Sequence, residues 1–253
     1  MMAAVATLVF CAPGYPGGAG DAQPFVDQFA KAAAASAGWT PGSLAAVYDP
    51  TEQGGLTKLN NSDSVLAFVP YAFYVQHGAK LQLKALAQAD VAGVGTEERW
   101  TLVGKAGAVA GPQSMAGYTL VSVAGYAPDF VRRSALAGWP LSADVKIEAT
   151  GQILSALRRV ANGEQVAALL DSTQAAALPT LPFAAQLKTL TQSAPLPVAL
   201  IVLVDSRLPA PRAKAIQTAL LKMGSAASNA ATLASLHLKG FVAPQLPSAD
   251  KPP

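Results

Sequence analysis

The stretch ILSALRRVANGEQVAALLDSTQAAAL, residues 153–178, places a helix, a buried strand and a second helix in immediate succession. Ile153, Leu154, Leu157, Val160 and Ala161 recur at helical spacing and define one apolar face. Thr150 is a candidate cap ahead of that helix, and Gly163 is the residue type that commonly ends one. Residues 165–171, QVAALLD, then run apolar without alternation, the pattern of a strand covered on both faces. Asp171 closes the strand and can cap the helix that opens with STQAAAL. Helix, tight turn and fully apolar strand in this order predict an α/β fold built on mixed, mostly parallel sheets flanked by helices.

The same alternation extends in both directions. Residues 5–13, VATLVFCAP, read as a buried strand followed by the turn GYPGGAGD. Asp21 is expected to cap the next helix, which tolerates Pro24 in its first turn and buries Phe25, Val26, Phe29, Ala30 and Ala33. Further strands are expected at 43–49, 64–70, 81–90 and 99–107. Between them, TEQGGLTKLNN reads as a short helix broken by Gly54 and Gly55, and YAFYVQHG as a helix ended by Gly78. Beyond residue 107, strands are predicted at 118–125, 143–150 and 197–208. A helix is predicted at 127–138, and another at 209–224 on Ile216, Leu220 and Met223. NAATLASLHLKG, 229–240, reads as the last helix before FVAP.

Composition narrows the function. With 51% apolar residues in 253, there is material for two cores of roughly 100 residues each. The 18 basic and 15 acidic residues leave a net charge of only +3, and the basic ones are scattered, so no nucleic-acid stripe forms. The single Cys11 excludes an intramolecular disulfide. No apolar run reaches the length of a membrane span. The first ten residues lack a basic n-region and read as the opening strand of a mature domain, with no signal peptide. His77 and His237 have no Ser or Cys partner at a recognisable spacing, and one Cys with two distant His does not make a metal set. Neither a phosphate-binding loop nor a complete dinucleotide fingerprint is present. An enzyme, a cofactor and a metal are therefore not expected.

Several phrases, in order, resemble the phosphate/phosphonate-type substrate-binding proteins of ABC transporters, which have the periplasmic-binding-protein type II fold. They are NNSDSVLAFVPYAFYVQHG, ERWTLVGKAG, MAGYTLVSVAGYAPDF, the helix–strand–helix of 153–178, and LASLHLKGFVAP. The resemblance runs from about residue 5 to about 243. It implies a two-lobed venus flytrap, with one lobe from 1–104 plus 194–253, the other from 105–193, and a hinge at 98–105 and 190–197. It also implies a monomer in the periplasm that captures a small ligand of phosphonate or other oxyanion type and docks on a membrane permease. Enzymes of menaquinone or thiamine-precursor biosynthesis share the fold, as do ligand-sensing modules; these are the alternatives.

The ligand in such architectures sits at the carboxyl ends of strands. That position nominates Tyr15 and Gly17 in the turn after the first strand, Tyr48 at the end of the second, and Tyr71 after the third. It also nominates Ser122, Gly125 and Tyr126 in the phrase SVAGYAPDF, and Asp171. Phosphonate receptors carry a Ser/Thr–Gly-rich phrase at 122–127; here Ala124, Gly125, Tyr126 and Ala127 stand instead. In those receptors an acid near Asp171 answers a ligand amine, and its other reading is a helix cap.

Overall fold

The computed structural model describes residues 5–14 and 17–247. The chain forms two compact units, one from residues up to 97 and from 197 onward, the other from 98 to 196.

The first unit starts with β1 (Ala6–Cys11), all six residues buried. Helix α1 (Ala19–Ser36) follows, then β2 (Leu44–Asp49), α2 (Glu52–Leu59), β3 (Ser64–Pro70), α3 (Tyr71–His77) and β4 (Lys84–Val91). The chain leaves through β5 (Glu97–Glu98). The second unit holds β6 (Thr101–Lys105), β7 (Thr119–Ser122), α4 (Pro128–Phe130) with a π-helical turn over Val131–Ala135, and β8 (Lys146–Ala149). It continues with α5 (Ile153–Asn162), β9 (Val166–Leu170), α6 (Ser172–Ala177) and β10 (Leu187–Gln192). Strand β11 (Leu196–Pro197) leads back and pairs with β5. The first unit is completed by β12 (Ala199–Leu203), α7 (Ala210–Met223), α8 (Ala230–Ser235) and β13 (Leu238–Val242).

In the first unit the strand order is β13-β4-β12-β3-β1-β2. Strand β1 pairs in parallel with both β2 and β3, while β12 and β13 run antiparallel to their neighbours. One face of this sheet is covered by α1, α7 and α8, whose Val26, Phe29, Ile216, Leu220, Met223 and Leu233 share a core with Leu8, Phe10, Leu66 and Ile201. The second unit has the order β10-β6-β9-β7-β8, and α5 packs Ala156, Leu157 and Val160 against Val103, Val121 and Val166.

Several elements depart from expectation for physical reasons. Helix α1 begins two residues before Asp21, with Gly18 at its cap position and no side-chain cap; Asp21 lies in the first turn. Phe25, expected inside, is 45% exposed, and Leu154 is 48% exposed, so each apolar face is narrower than its spacing suggested. Strand β10 has no hydrophobic run to announce it, because it is a partly exposed edge strand held by antiparallel pairing with β6. The last predicted helix stops at Ser235; His237 takes φ +54°, and the remainder becomes β13, paired with β4.

Glycines 54 and 55 do not break α2. Thr51 caps that helix through a 3.0 Å bond from the Gly54 N–H to its hydroxyl. A Cβ at Gly54 would collide with the Asp49 carboxylate, and one at Gly55 with the Cys11 sulfur. The glycines let α2 lie directly on the ends of β1 and β2. In an open helix interior, Gly→Ala stabilises by about 1 kcal/mol. Here Gly55→Ala should destabilise by about 2 kcal/mol, with part of the loss recovered by adding Cys11→Ala. Urea unfolding of both variants checks this, and a stabilising Gly55→Ala would contradict the packing.

Candidate functional site

At the carboxyl ends of β1, β3 and β4 the first unit opens into a pocket of about 420 Å³. Phe10, Cys11 and Ala12 reach it from β1, Tyr48 from β2, Phe68 to Pro70 from β3, and Val91 from β4. Ala22, Phe25 and Val26 of α1 form one wall, and Ser235 to Leu238 another. The position follows from topology, since strands that run together end together and their loops leave a crevice.

The walls are fixed by packing and a few hydrogen bonds. Phe10 packs edge-on against Phe68 at 5.3 Å and against Phe29 at 5.5 Å. The Gln23 side chain ties α1 to β2, donating to the Ala46 carbonyl (2.9 Å) and accepting from the Tyr48 N–H (3.2 Å). The His237 carbonyl accepts from the Ala92 N–H at 2.8 Å and fixes the opposite wall.

The chemistry of the lining is quiet. Among the described residues no Asp, Glu, Lys or Arg side chain lines it, and His237 is its one histidine. Burial, with Asp49 and Glu52 nearby, pushes the Cys11 thiol up to about 12, so it stays protonated and is no nucleophile. Burial also raises the Tyr48 hydroxyl, with Cys11 and Asp49 adding to the shift, so Tyr48 is a neutral hydrogen-bonding group. Asp49 follows Tyr48 at the end of β2. Burial acts to raise its carboxyl, but hydrogen bonds from Lys58 and Thr51 prevail and hold it below its usual range. Among the described residues no three His, Cys, Asp or Glu side chains gather where they could hold a metal, and no helix is long and apolar enough to cross a membrane.

Of the residues nominated from sequence, Tyr48 lines this pocket, and a Cβ at Gly17 would stand 3.8 Å from its hydroxyl oxygen. Tyr15 lies outside the described residues. Tyr71 is 1% exposed and its ring stacks on Tyr74 at 6.1 Å, so it faces the packed interior. In the second unit Ser122 is buried and its hydroxyl accepts from the Ala124 N–H. The Gly125 and Ala127 N–H groups donate to the carbonyls of Ser122 and Ala124. Three amides of this turn are thus engaged within it. A Cβ at Gly125 would collide with the β8 backbone at Glu148, so this glycine permits strand contact. Tyr126 is partly exposed. Asp171 caps α6, accepting from the Gln174 N–H at 2.8 Å, while the Gln174 side chain accepts from the Asp171 N–H.

The reading of the sequence missed Glu98, which carries no motif. It is 7% exposed and accepts from the Ser172 N–H at 3.3 Å. Burial lifts its carboxyl to about 7, opposed by that N–H and reinforced by Asp171. Burial raises Asp171 too, against hydrogen bonds from Gln174 and Thr173. A carboxyl that titrates higher when folded stabilises the fold fully below its unfolded value, near 4.5, and that contribution is lost as pH rises to about 7. The loss amounts to about 3 kcal/mol. Glu98→Gln should therefore match the parent near pH 4.5 and exceed it in stability at pH 8; parallel pH–stability curves would contradict this.

Solved structures share the architecture. The Xanthomonas citri protein XAC2383, bound to chloride, superposes with a TM-score of 0.70 at 14% identity, covering 97% of this chain and 93% of its own. A binding-protein component of an ABC phosphonate transporter from Pseudomonas aeruginosa gives 0.62 at 16% identity, covering 96% and 82%. PhnD1 from Prochlorococcus marinus, in complex with methylphosphonate, gives 0.58 at 14% identity, covering 97% and 94%. At these identities the likeness establishes the two-lobed binding-protein fold alone. No curated protein matches the chain in sequence. The family model for the periplasmic substrate-binding protein of phosphonate ABC transporters does match, across residues 51–248, and the chain belongs to that family.

Proposed function

We propose that this chain captures a small oxyanion-bearing solute, of which phosphonates are the first class to test, and delivers it to the membrane permease of an ABC-type uptake system. The observation that carries this reading is the family match over residues 51–248. The pocket agrees with non-covalent capture, because it offers a shaped, largely apolar surface with a protonated thiol and a neutral phenol. Capture is reversible and the solute leaves unchanged. The protein works as a monomer in the periplasm.

The two crossings at 97–98 and 196–197 are the natural hinge, since they alone join the units along the chain. Tyr48 and Gly17 border the pocket of the first unit and are assigned to solute contact. Tyr71, Ser122 and Gly125 shape the elements that carry them.

Titrating phosphate, phosphite, methylphosphonate and 2-aminoethylphosphonate while following thermal unfolding tests the reading. A true ligand at 100 times its dissociation constant should add about 2.7 kcal/mol of stability. It should also be recovered chemically intact after prolonged incubation. Absence of saturable stabilisation by every oxyanion, or consumption of the solute, would contradict it.

A further inference from the structure

The wall of the first unit's pocket suits the apolar part of a ligand better than a bare anion. Its wall carries Phe10, Phe25, Tyr48, Phe68, Val91 and Leu236, and among the described residues no Asp, Glu, Lys or Arg. Its volume of about 420 Å³ is well above the about 150 Å³ of an apolar cavity that accepts benzene. Phe25 stands 45% exposed on α1 beside this opening, although its helix has a complete buried face without it. A bare oxyanion against this wall would meet apolar side chains and no Asp, Glu, Lys or Arg among the described lining residues.

We propose that this pocket binds the apolar portion of the captured solute, an aromatic or branched aliphatic group, so that the natural ligand is an amphiphilic organic acid and not an inorganic oxyanion. The inference rests on the reading of the chain as a solute receptor and specifies the substrate class of that site. Phe10 and Phe68 present ring edges and faces held by their mutual packing, which suits a flat ring. Tyr48 supplies one polar atom at the border, so a ring substituent or the start of the polar head can be hydrogen-bonded there. Gln23 fixes the strand that carries Tyr48 and thereby pre-sets the width of the pocket.

The test compares methylphosphonate, phenylphosphonate, benzoate and neutral benzamide by isothermal titration, on the parent protein and on Phe25→Ala and Ala22→Phe. Phe25 is exposed, so its removal should leave the fold intact; Ala22→Phe fills the pocket, and the ligand-free melting temperature of each variant is read alongside. Phenylphosphonate should bind roughly tenfold or more tightly than methylphosphonate, from the extra apolar area buried. Both variants should shrink that ratio toward one while sparing methylphosphonate. Equal affinity for the two phosphonates in the parent would overturn the pocket assignment and leave the receptor reading standing. An aromatic preference undiminished in both variants would also overturn it. Pocket-dependent binding of benzoate or benzamide with no phosphonate binding would keep the pocket assignment and reject the phosphonate reading. Silence of all four compounds would count against both.

Discussion

Strand β1 is the constraint on which the candidate site depends. It is paired in parallel on both edges, and all of its residues are buried. Its end is therefore fixed by two neighbours, and Phe10, Cys11 and Ala12 arrive at the pocket in a set order. The close seat of α2 against Cys11 and Asp49, made possible by Gly54 and Gly55, closes the other face at the same level. A shift of β1 by one residue would exchange Phe10 with its neighbours and dismantle the aromatic contacts with Phe29 and Phe68.

Much of this fold was legible because parallel buried strands write themselves as continuous apolar runs. QVAALL and SVLAFV are unambiguous, and Gly163 ends α5 in a left-handed conformation as its position suggested. What stayed hidden was set by tertiary contact. LKTLTQ becomes β10 only because β6 offers an edge to pair with. LKGFV becomes β13 because His237 turns the chain at positive φ, with no glycine or proline in place to signal it. Gly54 and Gly55 look like helix breakers until the Asp49 carboxylate and Cys11 sulfur are seen against them.

The strand-end positions could be named from the sequence, but not the direction of their side chains. Strand ends nominated Tyr48 and Tyr71 alike, but only the direction of each side chain separates a pocket residue from a packed one. From 123 to 127 the turn has no Ser or Thr, and the amides of Ala124, Gly125 and Ala127 are taken by the Ser122 hydroxyl and by carbonyls of the turn itself. The apolar wall of the first unit's pocket, with Phe25 and Phe68, is where the proposed selection by shape would act. Glu98 has no sequence signature, because its unusual protonation arises from burial beside Asp171.

The central claim is that this chain holds a small solute non-covalently and returns it unaltered. Native mass spectrometry of protein purified from cells grown in a complex medium tests it most directly. The account predicts a one-to-one adduct of defined mass that is released intact on denaturation, is identified as an acid with an apolar group, and rebinds when added back. Protein that carries no adduct and takes up none from a metabolite extract, or that carries a covalent one, would contradict the account.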